Sequence, residues 1–337
     1  MRLRGLQDCR VSRDSRLLLN LYSWLRIMGE STYVLHDHKR SHSSPVGLPK
    51  LHSHHNEQSS SNNMPVSEND QDSPVDDFLH LDPQHSNNCD LDIEQPKDQE
   101  MDILDFHLQD SRKSSRTLSP DVYCVPETWL SLVSQTTRLA NVMEICEASR
   151  ETDGQQHHHR QVLGSLHVRS VYLENVINAF NLKFKHENQN IPTDFDGDPA
   201  TFNLQTFRAF NSALIVFFYR RIRHVHPAIL EGEVDKIINT LRAFDAGLAK
   251  EDTVGSSILW SAFIAGCEAI TSSQRDAILQ FMEREERACA FASVKTAKKI
   301  MTDLWKEHDQ CLGSNHHKPL PTWIDLARKQ QVWPVMC

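Results

Sequence analysis

Apolar residues recur at helical spacing almost without interruption from Pro126 to the C-terminal part of this 337-residue chain. The first such stripe comprises Trp129, Leu132, Val133, Thr136, Leu139, Met143 and Cys146. Further segments of about 10–20 residues follow, separated by Pro, Gly or Ser turns, and no run alternates with the two-residue period of a strand. This pattern predicts an all-α fold, an irregular array of antiparallel helices. Segments 213–219 and 258–267 are apolar on nearly every face and are predicted to be central.

A separate amphipathic helix is predicted near the N-terminus. Its apolar face comprises Leu17, Leu21, Trp24, Leu25 and Met28, and Gly29 supplies a stop. Basic residues precede it, as in a secretion signal, but polar residues interrupt the apolar stretch and no small-residue cleavage site follows. We therefore assign residues 11–35 to a helix that docks on another surface.

Residues 36–120 show no periodicity and are rich in Ser, Asn, His and Pro. Within them, residues 66–110 hold fourteen Asp or Glu residues and one basic residue, Lys97. This stretch has a net charge of -13, whereas the whole chain has a net charge of -9. Such a composition cannot bury enough apolar surface to offset the conformational entropy of the chain. We predict a long disordered insertion.

Hydrophobic residues lie among the carboxylates of this acidic stretch. The segments DDFLHLD and MDILDFHL, with Phe78, Leu79, Leu104 and Phe106, are candidates for short helices that fold on binding a partner. A solvated linker fits the same composition equally well.

Local signatures of catalysis are missing. The chain has no HExxH, GxSxG, glycine-rich phosphate loop, dinucleotide fingerprint or Cys/His nucleophile signature. Its eight cysteines are dispersed, with no CxxC pair, and indicate reduced thiols. We predict that the protein is not an enzyme, with no catalytic or cofactor-binding residues. Its longest fully apolar run is too short for a membrane helix, so no membrane partner is expected.

Histidine and aspartate clusters raise the question of a metal site. The histidines are His36, His38, His52, His54, His55 and His157–His159, and no carboxylate or cysteine lies at metal-binding spacing from them. Asp194, Asp196 and Asp198 lack the glycine and the acidic twelfth position of a calcium loop. We therefore predict adventitious binding at the histidines, an acidic turn at the aspartates, and no metal ligands.

A basic cluster, Arg220, Arg221, Arg223 and His224, ends the apolar segment 213–219. It is compatible with a nuclear-import or phosphate-binding patch. Its place at the end of a helix favours a structural role, since cations interact favourably with the terminal carbonyl groups.

Three extended passages carry a family resemblance. LLLNLYSWLRIMGESTYVLHD (17–37), YCVPETWLSLVSQTTRLANVMEICE (123–147) and ILWSAFIAGCEAITSSQRDAILQFM (258–282) resemble the fungal-specific transcription factor domain, in its second large family, typified by regulators of arginine metabolism. The resemblance implies a nuclear regulator of RNA polymerase II transcription. It also implies a helical regulatory domain over 121–333, on which helix 11–35 docks, and makes 36–120 an insertion.

Members of that family usually begin with a zinc binuclear cluster that contacts DNA. Here closely spaced cysteines are missing, so zinc is expected only in a missing N-terminal cluster, and DNA contact only indirectly or through such a missing domain. The implied partners are transcription co-regulators or another transcription factor, in a homo- or heterodimer. A helical interaction scaffold outside transcription is the alternative.

Four positions in the matching passages are candidates for regulation or packing. Trp129 and Trp260 are expected in the core. Arg138 and Glu268 lie beside apolar helical faces, where a buried charge is usually paired. We expect both to fix helix packing or to border an effector pocket. Gly266 is expected to permit close approach of two helices.

Overall fold

A computed structural model describes seven ranges of the chain. They are residues 13–34, 123–150, 156–187, 199–248, 258–289, 292–313 and 320–336. These residues are predominantly helical and form no strand, so the predicted all-α fold is confirmed for this part of the chain. The predicted insertion, with Phe78, Leu79, Leu104 and Phe106, lies outside the described residues.

Nine α-helices make up the described part of the chain. They are α1 (Arg13–Ser31), α2 (Glu127–Arg150), α3 (Gln156–Glu187), α4 (Pro199–Arg221), α5 (Glu231–Leu248), α6 (Leu259–Glu268), α7 (Ser272–Cys289), α8 (Ala292–Gly313) and α9 (Trp323–Gln330). A short 3-10 turn, Pro227–Leu230, precedes α5. None of these described helices combines the length and apolarity needed to cross a membrane.

Helices α4 and α6 occupy the centre of the array. Helix α4 packs against α2, α3, α5 and α6, and α6 also packs against α5, α7 and α8. Every residue of α6 is buried, as are residues 211–218 of α4. The predicted central position of the two most apolar segments is thereby confirmed. Their all-round apolarity is explained by neighbours on every side.

Helix α1 packs against α2 through a face centred on Trp24, Ile27 and Met28, all buried. The Trp24 ring stacks on Tyr123 at 4.3 Å between centroids and meets Phe210 edge-on at 5.7 Å. The predicted face was wrong at its margin, because Leu21 and Leu25 are exposed. The buried face includes Ile27 and Ser31 instead. It is therefore rotated about the helix axis, by roughly one residue position, relative to the predicted face.

The C-terminal end of α1 meets residues from the far end of the sequence. The Trp260 indole Nε1 donates a hydrogen bond to Ser31 Oγ at 2.8 Å. The Trp333 Nε1 donates to the Gly29 carbonyl at 3.2 Å, and the Trp333 ring lies edge-on to Tyr33. A buried hydrogen bond thus joins α1 to α6, and a partly buried one joins it to the segment after α9.

Gly266 lies where α6 crosses α8. A Cβ atom at this position would stand 2.1 Å from Met301 Sδ and 3.1 Å from Ile278 Cγ2. The Gly266 carbonyl also accepts a 2.8 Å hydrogen bond from Trp305 Nε1 on α8. A larger residue at position 266 would therefore require the Met301 side chain to move and the Ile278 contact to tighten.

Replacing Gly266 by alanine is expected to lower the free energy of unfolding by about 1–3 kcal/mol, the usual cost of overpacking a core. The matched control is Gly164→Ala in α3, where nothing lies within 4 Å of the added Cβ. That control should raise stability by about 0.5–1 kcal/mol, because alanine loses less backbone entropy in a helix. Urea denaturation measures both. Equal effects of the two substitutions would contradict the close approach.

Candidate functional site

The candidate site is the arginine cluster, Arg220, Arg221 and Arg223, at the end of α4. The helix stops there because His224 adopts left-handed backbone geometry, with φ of 50°. The Val225 amide then donates to the Tyr219 carbonyl at 3.2 Å, closing the helix end. The three basic side chains at this helix end point toward different neighbouring helices.

Arg220 reaches the last residue of α6. Its Nε lies 2.6 Å from Glu268 Oε2, and the two side chains are only 11% and 4% exposed. Neither atom is aligned for a regular hydrogen bond, so the contact is a close ion pair. Arg220 also donates through Nη1 to the Val225 carbonyl. The pair fixes the end of α4 against the end of α6.

Burial dominates the electrostatics of Glu268. Loss of hydration raises its pKa from the ordinary 4.5 to about 7, and the attraction of Arg220 opposes this only in part. The neighbouring Cys267 thiol is also buried, and burial together with the Glu268 charge raises its pKa well above its usual value. Between pH 4.5 and 7, Glu268 is therefore mostly protonated in the folded protein and mostly ionised in the unfolded chain.

The pH dependence of stability should report this carboxyl group. Because the folded-state pKa exceeds the unfolded one, its stabilising contribution is complete below about pH 4.5 and is lost as pH rises through 7. Glu268→Gln mimics the protonated acid and lacks this dependence. Between pH 4.5 and 7.5 the wild-type protein should therefore lose stability relative to the variant. Parallel urea titrations across this range would show no divergence if the carboxyl group were not buried as described.

Arg221 joins α4 to α2 and to the last helix. Its Nη1 donates to Glu144 Oε1 and its Nη2 to Asn141 Oδ1, both at 2.8 Å. The other Glu144 oxygen accepts from Arg328 of α9 at 2.7 Å. The two arginines hold the pKa of Glu144 below its usual value, although burial acts in the opposite direction and is the largest single influence. Glu144 thus bridges two cations from different helices.

Arg223 ties the same helix end to α3. Its Nε donates to Glu174 Oε2 at 2.9 Å, and its Nη2 contacts the same oxygen. Its Nη1 donates to Ser170 Oγ at 3.1 Å. Glu174 Oε1 also accepts from the Tyr219 hydroxyl at 2.9 Å. One carboxylate therefore binds a side chain of α4, Tyr219, and a side chain just beyond its end, Arg223.

Each arginine of the cluster is matched by a carboxylate of the protein itself: Glu268, Glu144 or Glu174. These contacts support the structural role that the sequence favours, and they leave no guanidinium of this cluster unpaired for a phosphate group. The sequence did not predict that the main partners of the arginines are carboxylates on other helices. The cluster makes ion pairs to three other helices, in addition to a hydrogen bond to the nearby Val225 carbonyl. Chemically, it joins helices and offers no catalytic arrangement of groups.

The structure brings two of the four candidate residues together. Trp129 and Trp260 are both buried, with ring centroids 5.6 Å apart and planes nearly perpendicular. Glu268 pairs with Arg220, whereas Arg138 acts electrostatically on Glu30 of α1. Burial raises the pKa of Glu30, and Arg26 and then Arg138 oppose that rise. The signal for Arg220 was present in the sequence, as a basic residue directly following a wholly apolar helical segment.

One open depression of about 360 Å³ lies beside α5 and α7. It is lined by Arg242, Ser272, Ser273, Asp276, Ala277 and Gln280. Neither Arg138 nor Glu268 lines it. The contacts of these two residues support helix packing, and an effector pocket that they border stays a prediction.

The histidine and aspartate clusters are the candidates for metal binding in this chain. Among the residues that the structure describes, no group of three or more His, Cys, Asp or Glu side chains could hold a metal ion. Residues 36–55 and 194–198, which contain most of the clusters, lie outside the described residues. The side chains of residues 157–159 lie outside them too.

In its described part the chain is an all-α domain. Its helices pack around two apolar central helices and are joined by buried ion pairs. A comparison with family models places it further: the model of the fungal-specific transcription factor domain matches residues 1–336. The chain belongs to this family, which is one of fungal transcription regulators and not of enzymes. No curated protein and no solved structure matches the chain.

Proposed function

We propose that this chain is a nuclear regulator of fungal RNA polymerase II transcription that acts through protein partners. The observation that carries the proposal is the family match, which spans residues 1–336 and so includes both α1 and the helices from α2 to α9. The helical body is the part that holds partner-binding surfaces in fixed positions. The acidic stretch 66–110 is the element that contacts transcription co-regulators.

The chemistry of the acidic stretch supports this division of roles. Phe78, Leu79, Leu104 and Phe106 are spaced among carboxylates, which keep a chain soluble while its apolar side chains remain available to a groove on a partner. DNA is reached through a partner transcription factor or through a zinc cluster supplied outside these residues. In the described part of the chain the arginine cluster is matched by carboxylates, so it adds no basic face for the phosphate backbone.

A scaffold outside transcription is the second candidate. It is favoured by the apolar residues that α1 exposes, which include Leu18 and Tyr22. Such a surface serves protein association in any compartment. The two candidates differ in where the protein resides and in whether it changes transcription when it is brought to a promoter.

A reporter assay separates them. The full chain is fused to a neutral DNA-binding domain and expressed in a fungal host, with a fluorescent tag to report its location. We expect nuclear protein and altered reporter output. Phe78→Asp/Leu79→Asp should remove most of the change, since loss of two apolar anchors costs on the order of 2 kcal/mol of partner binding, or roughly 30-fold in affinity.

The matched control is Val168→Asp, at a site 64% exposed on α3, which should leave the output unchanged. Unchanged transcription together with exclusion from the nucleus would support the scaffold and overturn the proposal.

A further inference from the structure

Helix α1 carries a solvent-exposed apolar face beside the face that packs on α2. Leu18, Leu21, Tyr22 and Leu25 are 67%, 44%, 53% and 43% exposed. Their spacing of three, four and seven residues places them on one side of the helix. We call this set the α1 stripe. A continuous apolar row on a surface helix is typical of a binding surface.

The α1 stripe alone is small for an interface between separate chains, and it would serve such an interface only as part of a larger surface. It covers about two helical turns, or roughly 12 Å. A stable interface between two proteins buries about 800 Å² on each partner, and four partly covered side chains supply roughly half of that at most. A tethered segment needs far less area, because its effective concentration is on the order of millimolar.

The described residues on either side of the connection between α1 and α2 both lie close to α1. Val34, three residues beyond the end of α1, is buried in the core. Tyr123, four residues before α2, stacks on Trp24 of α1. The described residues that flank 35–122 thus lie in the core just beyond α1 and against α1 itself. Any apolar segment within residues 35–122 is therefore tethered close to this surface.

Residues 101–108, MDILDFHL, have the pattern that fits the stripe. Met101, Leu104 and Leu108 fall at positions i, i+3 and i+7, which share one face if the segment is helical. No proline lies between Pro96 and Pro120, whereas the segment 76–82 is bounded closely by Pro74 and Pro83. A helix over 101–108 thus has more room, and it has the shorter tether to Tyr123.

Charge favours the same pairing. Residues 1–34 contain six arginines against three acidic residues, whereas residues 66–110 contain fourteen acidic residues and one lysine. Opposite net charges steer the two segments together and disfavour pairing of the α1 region with a second copy of itself.

We propose that residues 101–108 of the same chain dock on the α1 stripe as a short amphipathic helix. Met101, Leu104 and Leu108 face the stripe, and the acidic side chains stay in solvent. Phe106 lies on another side of this helix and remains available to a partner, whereas Leu104 becomes available to one only when the segment leaves the stripe. The inference concerns the chain's own surface and holds whether or not the chain acts in transcription.

Site-specific photo-cross-linking of the full chain tests this docking. Tyr22→p-benzoylphenylalanine places the photoprobe in the stripe, and the matched control places it at Val168, which is also exposed. At low protein concentration we expect cross-links within one chain, from position 22 to residues 98–112. Their yield should exceed that from position 168 by about fivefold or more, as a high effective concentration implies.

A second comparison identifies the docking residues. Leu104→Asp/Leu108→Asp should reduce the cross-link at least about fivefold, because it removes two anchors of the apolar face. Phe78→Asp/Leu79→Asp adds the same charge and should leave the yield unchanged. Equal yields from positions 22 and 168 would overturn the proposal. Cross-links between two chains, or a yield insensitive to Leu104→Asp/Leu108→Asp, would overturn it as well.

Discussion

Replacing Glu268 by leucine at pH 8, where its carboxyl group is ionised in the folded protein, is expected to lower the free energy of unfolding by about 3–5 kcal/mol, the usual cost of removing one partner of a buried ion pair. Arg220, only 11% exposed, would lose the carboxylate beside its Nε and cannot shed its own proton. For a domain of this size the melting temperature should fall by roughly 10 °C. Urea and thermal denaturation monitored by circular dichroism measure the effect.

Two further variants make this prediction specific. Glu283→Leu removes a carboxylate that is 58% exposed and lies 3.6 Å from Lys298, and it should cost less than about 1 kcal/mol. Arg220→Met added to Glu268→Leu should recover most of the loss, because no buried charge then remains unpaired. If Glu268→Leu cost no more than Glu283→Leu, the arginine cluster would not hold the centre of the fold as we describe.

Trp260→Ala should be comparably severe, with a cost of about 3–5 kcal/mol. The Trp260 side chain is 1% exposed and meets Trp129 and Phe217 edge-on. Its loss also removes the hydrogen bond to Ser31, which anchors the end of α1. We therefore expect amide hydrogen exchange to accelerate in α1 as well as around the cavity left in the core.

Trp260→Phe is the matched control, since it keeps an aromatic ring in the core and deletes the indole donor. It should cost clearly less than Trp260→Ala, while still loosening the end of α1. Unchanged exchange in α1 in both variants would mean that the Trp260–Ser31 contact contributes nothing to its docking.

The all-α class and the central helices could be predicted from the sequence because they depend on local periodicity. Segments 213–219 and 258–267 are apolar on all sides, and such helices have few stable places outside the centre of an array. Trp129 and Trp260 follow the same logic, since large apolar side chains on these faces are buried wherever the helices pack.

The partners of the charged residues could not be predicted in this way. Arg220, Arg221 and Arg223 are near neighbours in the sequence, yet their carboxylates lie on α6, α2 and α3. Which helix faces which arginine depends on how α4 ends and on the positions of the surrounding helices. For the same reason periodicity identified α1 as amphipathic but misplaced the margin of its buried face at Leu21 and Leu25.

The central claim is that α1 and the helices from α2 to α9 form one cooperative body, although residues 35–122 separate them in sequence. Deleting residues 40–115 and following amide hydrogen exchange during urea unfolding tests this claim most directly. We predict a single transition in which the buried amides of α1 and α4 open together. Its free energy should equal that of the full chain or exceed it by about 2 kcal/mol, since shortening a loop lowers the entropy cost of closing it. Exchange of α1 at a much lower denaturant concentration than α4 would contradict the claim.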